Sequence, residues 1–426
     1  MSGTIYKDLI AQDLGRMAIK GLLTKTAVDP AAIDYVTYGT VIQEVRTSNI
    51  ARESALAAGI PDKVPAHTVT LACISSNVAL STAAEKILTG QASSVVAGGA
   101  ETMSDVPIRF SRPMRERLIK ASKLKSPKQA LPLLKGFKLG WLAPEAPAIA
   151  EFSTGEVMGH SSDRLAAKFG VTREEQDKFA LRSHQNAAKA HKEGLLDDEI
   201  IPYNGDRMDN GIKGESTYEK LASLKPAFIR PHGTHTAANA SFLTDGASAA
   251  LVMDEEAALA QGFTPKAVLR DWTFVSQDPG EELLLGPAYA MYKLLGKNGL
   301  TLADIDVFEL HEAFAGQVLA NLVAVGSDKF ATESAGAAAA LGAVPFEKLN
   351  TLGGSLSIGH PFGATGTRLV TTTANRLIRE EGTLGLVAAC AAGGQGVAML
   401  IERWAPKAAA GKAAPKAEGA KAKATA

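Results

Sequence analysis

The chain has 426 residues, more than one hydrophobic core usually serves, so two or three substructures are expected. Its 45 basic residues balance 45 acidic ones, which argues against a general nucleic-acid binder. With 46% hydrophobic and 21% charged residues and no apolar run long enough for a bilayer, a soluble globular protein is expected. The two cysteines, Cys73 and Cys390, exclude a disulfide scaffold and fit a reducing compartment. No histidine or cysteine cluster has metal-ligand spacing, so metal-free chemistry is the default. The opening MSGTIYKDLIAQDLG has neither the apolar core of a signal peptide nor the Arg/Ser-rich character of a transit peptide. A cytoplasmic, bacterial setting is therefore expected. The mitochondrial matrix is the alternative, since a presequence already removed leaves no trace.

Short β-branched runs punctuate the chain: YVTYG (35–39), HTVTLA (67–72), SSVVAGG (93–99), AALVM (249–253), VLRDWTFV (268–275), VFEL (307–310), GLVAA (385–389) and GVAMLIE (396–402). Amphipathic stretches near 75–89, 173–193, 287–298, 312–325 and 364–381 predict helices between them. Strands separated by helices predict an α/β architecture with mostly parallel sheets.

The two ends of the chain resemble each other. VDPAAIDYVTYGTVIQE (28–44) parallels LTLADIDVFELHEAF (300–314), and TLACISSNVALSTAAEKILTG with SSVVAGGAE parallels LSIGHPFGATGTRLVTTTANRLI with LVAACAAGG. The order is the same twice, and the overlay sets Cys73 opposite His360. A duplicated unit would bring two strand-to-helix turns together at the centre of the molecule. The divisions expected are a first half over 1–115 and 236–262, an inserted loop domain over 111–235, and a second half over 263–405. The tail 406–426, with five lysines and no residue larger than lysine, should be disordered.

Four places along this framework could carry chemistry. Cys73 stands before a helix beginning near Ser75, where the helix dipole and free N–H groups favour thiolate. A small buried hydrophobe is the alternative reading of such a cysteine. His360 lies in SIGHPFGATG, a glycine-rich turn with Pro361 opening the next helix; a plain helix start would look similar. Cys390 precedes AAGGQG, which can converge backbone N–H groups into an oxyanion hole or simply turn between two strands. His311 and Glu312 follow the strand VFEL, at the strand edge where ligands gather in open α/β sheets.

These blocks, LACISS, HEAFAGQ, SIGHPFGATG and CAAGGQG, resemble the thiolase superfamily over essentially residues 4–403. HEAF, CAAGG and the block SRPMRERL…LAPEAPAIAEFSTGEVMGHSSDRLA are similar to the branch forming the β-subunits of fatty-acid oxidation trifunctional complexes. The resemblance implies a thiolase fold, two duplicated βαβαβαββ halves in an α-β-α-β-α layering plus the inserted loop domain. It implies a 3-ketoacyl-CoA thiolase with Cys73 as nucleophile, His360 as its base and Cys390 as proton donor to the acetyl-CoA enolate. His311 and His360 would form one oxyanion hole, and the N–H groups of Cys73 and Ala392 the other. Ser241 would contact the pantetheine arm of CoA, and Glu312 and Asn239 would support the site unless purely structural. CoA enters as a substrate, with no permanently bound cofactor. The partners implied are a second copy in a homodimer and an α-subunit with enoyl-CoA hydratase and 3-hydroxyacyl-CoA dehydrogenase activities.

Three departures from the family pattern stand out. His311 replaces an asparagine common in the family, and Ala392 replaces a glycine whose contribution is a backbone N–H. The opening strand and Arg-Thr-Pro segment are not seen at the start, which implies a missing central strand with unpaired backbone, or an upstream start codon. Between Arg109 and Lys138 there are ten basic residues and one acidic, Glu116, and LPLLKGFKLGWLAP follows. A solvated face, a CoA-phosphate site, a cover for the acyl tunnel, a partner-docking face and a peripheral membrane contact through 109–144 all fit this composition. Competing functions are a biosynthetic acetoacetyl-CoA thiolase and a non-catalytic lipid carrier on the same fold.

Overall fold

A computed structural model describes residues 1–126, 133, 135–148 and 150–406. The tail expected to be disordered lies outside them from residue 407 onward.

Two four-stranded sheets organise the chain. In the first, β1 (Tyr35–Gly39) pairs in parallel with β2 (Ala66–Val69) and β3 (Ser94–Glu101). A short β4 (Arg109–Phe110) and β5 (Pro144–Glu145) pair with each other, and β6 (Gly246–Met253) closes the first sheet antiparallel to β3. The second sheet runs β7 (Ala267–Ser276), β10 (Gln395–Arg403), β9 (Leu384–Ala391), β8 (Val307–Leu310). Only β8 and β9 are parallel in it. The expectation of mostly parallel sheets fails there for a covalent reason. Residues 392–394 join β9 to β10, a connection long enough for a hairpin and far too short for a parallel crossover.

Three helical layers enclose the sheets. The outermost helices of the first half, α1 (Ala11–Thr26) and α2 (Ile50–Ala58), bury Ile19, Leu23, Ala51 and Ala55 against Val36, Tyr38 and Val96. Between the sheets lie α3 (Ser75–Leu88) and the helix Thr365–Arg379. Their Leu80, Ala83, Leu369 and Leu377 share one core with Val95 and Ala97 of one sheet and Val387 and Met399 of the other. Helices Gly286–Asn298 and Ala315–Val325 cover the far face of the second sheet through Leu294, Leu295 and Val318. The central strands β3 and β9 are buried at every position, which explains their continuous apolar character.

The repeat places its two strand-to-helix turns back to back. Thr367 N–H donates to Ser76 Oγ at 3.0 Å, joining the first turns of the two central helices. Gly366 makes this possible, because a Cβ there would collide with Asn77. The duplication also relocates the strand expected to be central. In the second sheet β7 occupies the edge beside β10, so the equivalent place in the first sheet is the edge of β6. Among the described residues that edge has no partner, and every residue of β6 is half-buried.

Candidate active site

Cys73 is set by a tight turn after β2. Ala72 takes a left-handed φ of 44°, a strained conformation for a residue with a Cβ. Ser75 pins the turn, its Oγ accepting from Leu71 N–H at 2.8 Å and donating to Ala72 O at 2.7 Å. Cys73 is thereby half-buried at the N-terminal end of α3, and the backbone N–H of Ala392 donates to its sulfur. Cys390 is the penultimate residue of β9 and is buried. It lies near enough to Cys73 for a charge on one thiol to oppose ionisation of the other. The glycine run after Cys390 is therefore both a hairpin turn and a donor of an N–H to the first thiol.

His360 and His311 meet each other. Their ring centroids are 4.0 Å apart. One extended segment holds both loops: Ala240 bridges Phe314, Ser241 N–H donates to Ala313 O at 2.9 Å, and Leu243 bridges His360. His360 N–H donates to Thr244 Oγ1 at 3.0 Å, while its Nδ1 lies 2.7 Å from Thr365 Oγ1. Thr365 in turn donates to Pro361 O at 3.1 Å, so its oxygen can accept from Nδ1–H and leave Nε2 with a free lone pair. Among the described residues, the Nε2 atoms of both histidines are buried and have no hydrogen-bond partner. Orphaned buried polar atoms of this kind are unusual, and a reacting group is a physical reason for them.

Burial dominates the electrostatics. It pushes the Cys73 thiol up to about 12, against the Ala392 N–H, which favours the thiolate, and with Glu101 raising it further. The expectation of a thiolate from the helix dipole is overturned here, because removing the sulfur from water outweighs a helix terminus. Cys390 is raised by burial and by Cys73. Burial and the Arg368 cation lower His360 to about 3, and burial with His360 and Arg368 lowers His311 well below the usual value. The two thiols and the two imidazoles thus all rest neutral. Inactivation by iodoacetamide should accordingly rise about tenfold per unit from about pH 6 to about pH 9, since thiolate is scarce throughout. A plateau near neutral pH would reveal a preformed thiolate instead.

Three groups absent from the sequence reading complete the site. Glu101, at the end of β3, accepts from Val41, Ile42 and Gly363 N–H at 3.0, 3.0 and 3.1 Å, tying the His360 loop to the first sheet. Burial raises its carboxyl to about 7 against those bonds. Ser355 and Thr365 flank His360 by five residues on either side and hold the two imidazoles. Their signal was available as hydroxyls bracketing a glycine-rich histidine turn.

The expected supporting residues divide. Glu312 accepts from Ser183 Oγ and Asn350 Nδ2, each at 2.7 Å, and from Leu356 N–H at 3.2 Å, anchoring the loop that leads to His360. Asn239 bonds Asp177, Thr234 and Thr236, fixing the turn before Ser241. Both hold backbone in place. Ser241 itself is half-buried between the two histidine loops. Among the described residues, no group of His, Cys, Asp and Glu could hold a metal ion.

Models of the thiolase N-terminal domain and the thiolase C-terminal domain match residues 1–256 and 263–403. The chain belongs to the thiolase family. It is 59% identical over 409 residues to the mitochondrial trifunctional enzyme subunit beta of Bos taurus, covering 95% of this chain and 86% of that protein. It is 44% identical to a 3-ketoacyl-CoA thiolase of Yersinia enterocolitica, covering 94% and 93%. Human mitochondrial 3-ketoacyl-CoA thiolase, solved in complex with CoA, superposes with a TM-score of 0.79 at 30% identity over 94% of each chain. As a thiolase this chain is an acyltransferase.

Proposed function

We propose that this thiolase cleaves 3-ketoacyl-CoA with CoA, yielding acetyl-CoA and an acyl-CoA two carbons shorter, in fatty-acid β-oxidation. The observation that carries the reading is a pair of neutral thiols linked through the Ala392 N–H, in a chain that also holds two buried imidazole Nε2 atoms without partners among the described residues. Carbon–carbon thiolysis needs one sulfur to hold an acyl group and a separate acid to protonate a carbanion. Cys73 attacks the 3-keto carbon while His360 Nε2 takes its proton. The C2–C3 bond then breaks, its electrons pass to the acetyl-CoA enolate, and Cys390 protonates C2. Cys390 or His360 next removes the thiol proton of an incoming CoA, which attacks the Cys73 thioester and releases the shortened acyl-CoA. Backbone N–H groups of Cys73 and Ala392 serve the tetrahedral oxygen, and His311 and His360 the enolate oxygen. Each such donor contributes about 3–4 kcal/mol of transition-state stabilisation. Ser241 contacts the pantetheine arm from the segment that joins both histidine loops. The test is CoA-dependent loss of 3-ketoacyl-CoA across chain lengths; thiolysis that is absent, or restricted to acetoacetyl-CoA, overturns the reading.

The relatives named trifunctional enzyme subunit beta support assembly with an α-subunit bearing hydratase and dehydrogenase activities. Those names also support the mitochondrial matrix, while the Yersinia relative keeps the bacterial cytoplasm open. A homodimer rests on the family alone. No described helix is long and apolar enough to cross a membrane. The arm between β4 and β5 nevertheless carries α4 (Arg112–Ala121), with Leu118 and Ile119 exposed among arginines and lysines, and Leu139 79% exposed. Such a surface suits peripheral contact with anionic lipid. Sedimentation with anionic vesicles should fall for Leu118→Glu/Ile119→Glu, and unchanged sedimentation removes the membrane reading.

A further inference from the structure

His311 can act as an oxyanion donor only if its free nitrogen, Nε2, carries the proton. A neutral imidazole has one proton and two nitrogens, so something must choose between them. Nothing in the HEAF segment makes that choice. It is made 44 positions further on in the chain.

His311 Nδ1 lies 2.9 Å from Ser355 Oγ, and both residues are buried. Arg368 Nη2 donates to the same Ser355 oxygen at 3.2 Å, and Arg368 Nη1 lies 3.7 Å from Glu309 Oε2. A guanidinium can only donate, so Ser355 Oγ accepts from it. The remaining hydroxyl proton of Ser355 then has His311 Nδ1 as its acceptor. In the opposite tautomer, two donors would converge on Ser355 Oγ and its own proton would be buried unpaired, which is costly. We propose that Arg368 and Ser355 form a positioning relay that fixes His311 as the Nε2–H tautomer, making it a permanent hydrogen-bond donor towards the reacting oxygen. The hydroxyl beside His360 acts in the opposite sense. Thr365 has Pro361 O as its own acceptor, so it can take the Nδ1 proton and leave His360 Nε2 basic. Two imidazoles with ring centroids 4.0 Å apart are thereby given opposite jobs by two hydroxyls. The Arg368 cation also disfavours protonation of both rings, which keeps the tautomer choice meaningful at neutral pH.

This inference rests on the reading of His311 as an oxyanion donor, and the experiment separates the two. Histidine-specific 15N labelling distinguishes protonated from bare ring nitrogens, with the His311→Asn protein identifying the resonances of residue 311. The wild type should show a protonated Nε2 and a bare Nδ1 at His311, and Ser355→Ala should mix or reverse them. In thiolysis assays, Ser355→Ala should lower kcat by about tenfold, less than the ~10²–10³-fold that outright loss of a donor costs. KM and thermal midpoint should stay close to wild type, and Ser355→Thr should restore kcat. An asparagine side chain presents its N–H₂ without tautomers, so Ser355→Ala should cost under about twofold in a His311→Asn background. A bare Nε2 in the wild type overturns the relay whatever the kinetics show. So does an equal loss of kcat in both backgrounds, which would make Ser355 merely structural. Full activity in His311→Ala would instead refute the oxyanion role, while the labelled spectra still decide the relay.

Discussion

Cys73→Ser should lower CoA-dependent cleavage of 3-ketoacyl-CoA by about 10⁴-fold or more, the scale seen when a covalent nucleophile is removed. Serine fills nearly the same space and keeps the Ala392 N–H contact, so the fold at the Ala72 turn should survive. What is lost is sulfur chemistry: even when buried, the thiol is pushed only to about 12, and an alcohol in the same place would be less acidic still. Cys390→Ala should cost about 10²–10⁴-fold, the range of a general acid or base. Its signature differs, because Cys73 remains able to exchange acyl groups with CoA thioesters. Acyl exchange should therefore outlast carbon–carbon cleavage in Cys390→Ala, and both should vanish in Cys73→Ser. Wild-type-like cleavage in either variant would refute the division of labour between the thiols.

The second large effect concerns stability. Arg376 is the largest fully buried side chain and sits beneath the second sheet. It donates to Glu309 Oε1 at 2.9 Å, to Phe308 O at 3.2 Å, to Lys348 O at 3.0 Å, and to both oxygens of Glu380. Burial opposes its charge, yet Glu309 and Glu380 hold its pKa above the ordinary value. Arg376→Met should destabilise the protein by about 3–5 kcal/mol, because Glu309 and two carbonyl oxygens lose their donor inside the core. The value should lie towards the lower end, since Arg368 still lies 3.7 Å from Glu309. Adding Glu309→Gln should recover part of the loss by removing the stranded charge. Urea unfolding of the three proteins checks both statements, and an Arg376→Met loss under about 1 kcal/mol would show that the pair is dispensable. Glu309 stands two residues before His311, so the same network that steadies β8 also steadies the site.

Much of this was legible from the chain. The β-branched runs fell on the eight strands of the two sheets, and the repeated order of motifs placed two strand-to-helix turns together, as the Ser76–Thr367 bond shows. Helix α1 is hard to read from the chain because Gly15 and Gly21 interrupt its pattern. Gly15 is there for packing, since a Cβ would strike Ser54 of α2, and such a reason exists only once the two helices touch. The parallel expectation fails in the second sheet because strand composition carries no direction, whereas the three residues 392–394 allow only a hairpin between β9 and β10.

Cys73 and Cys390 were visible from the outset as the only thiols, and the motifs around them were enough to imply the family and its chemistry. Local sequence predicted a thiolate at Cys73, because a helix dipole is a local property. Only the folded protein decides that the thiol rests neutral, because desolvation depends on what packs around it from both halves of the chain. The same holds for the histidines: their presence is written in HEAF and SIGHPFGATG, but their neutrality and their proton positions come from Arg368, Ser355 and Thr365. Covalent order determined which groups the site contains. Burial and hydrogen bonds between distant segments decided what state each of them is in.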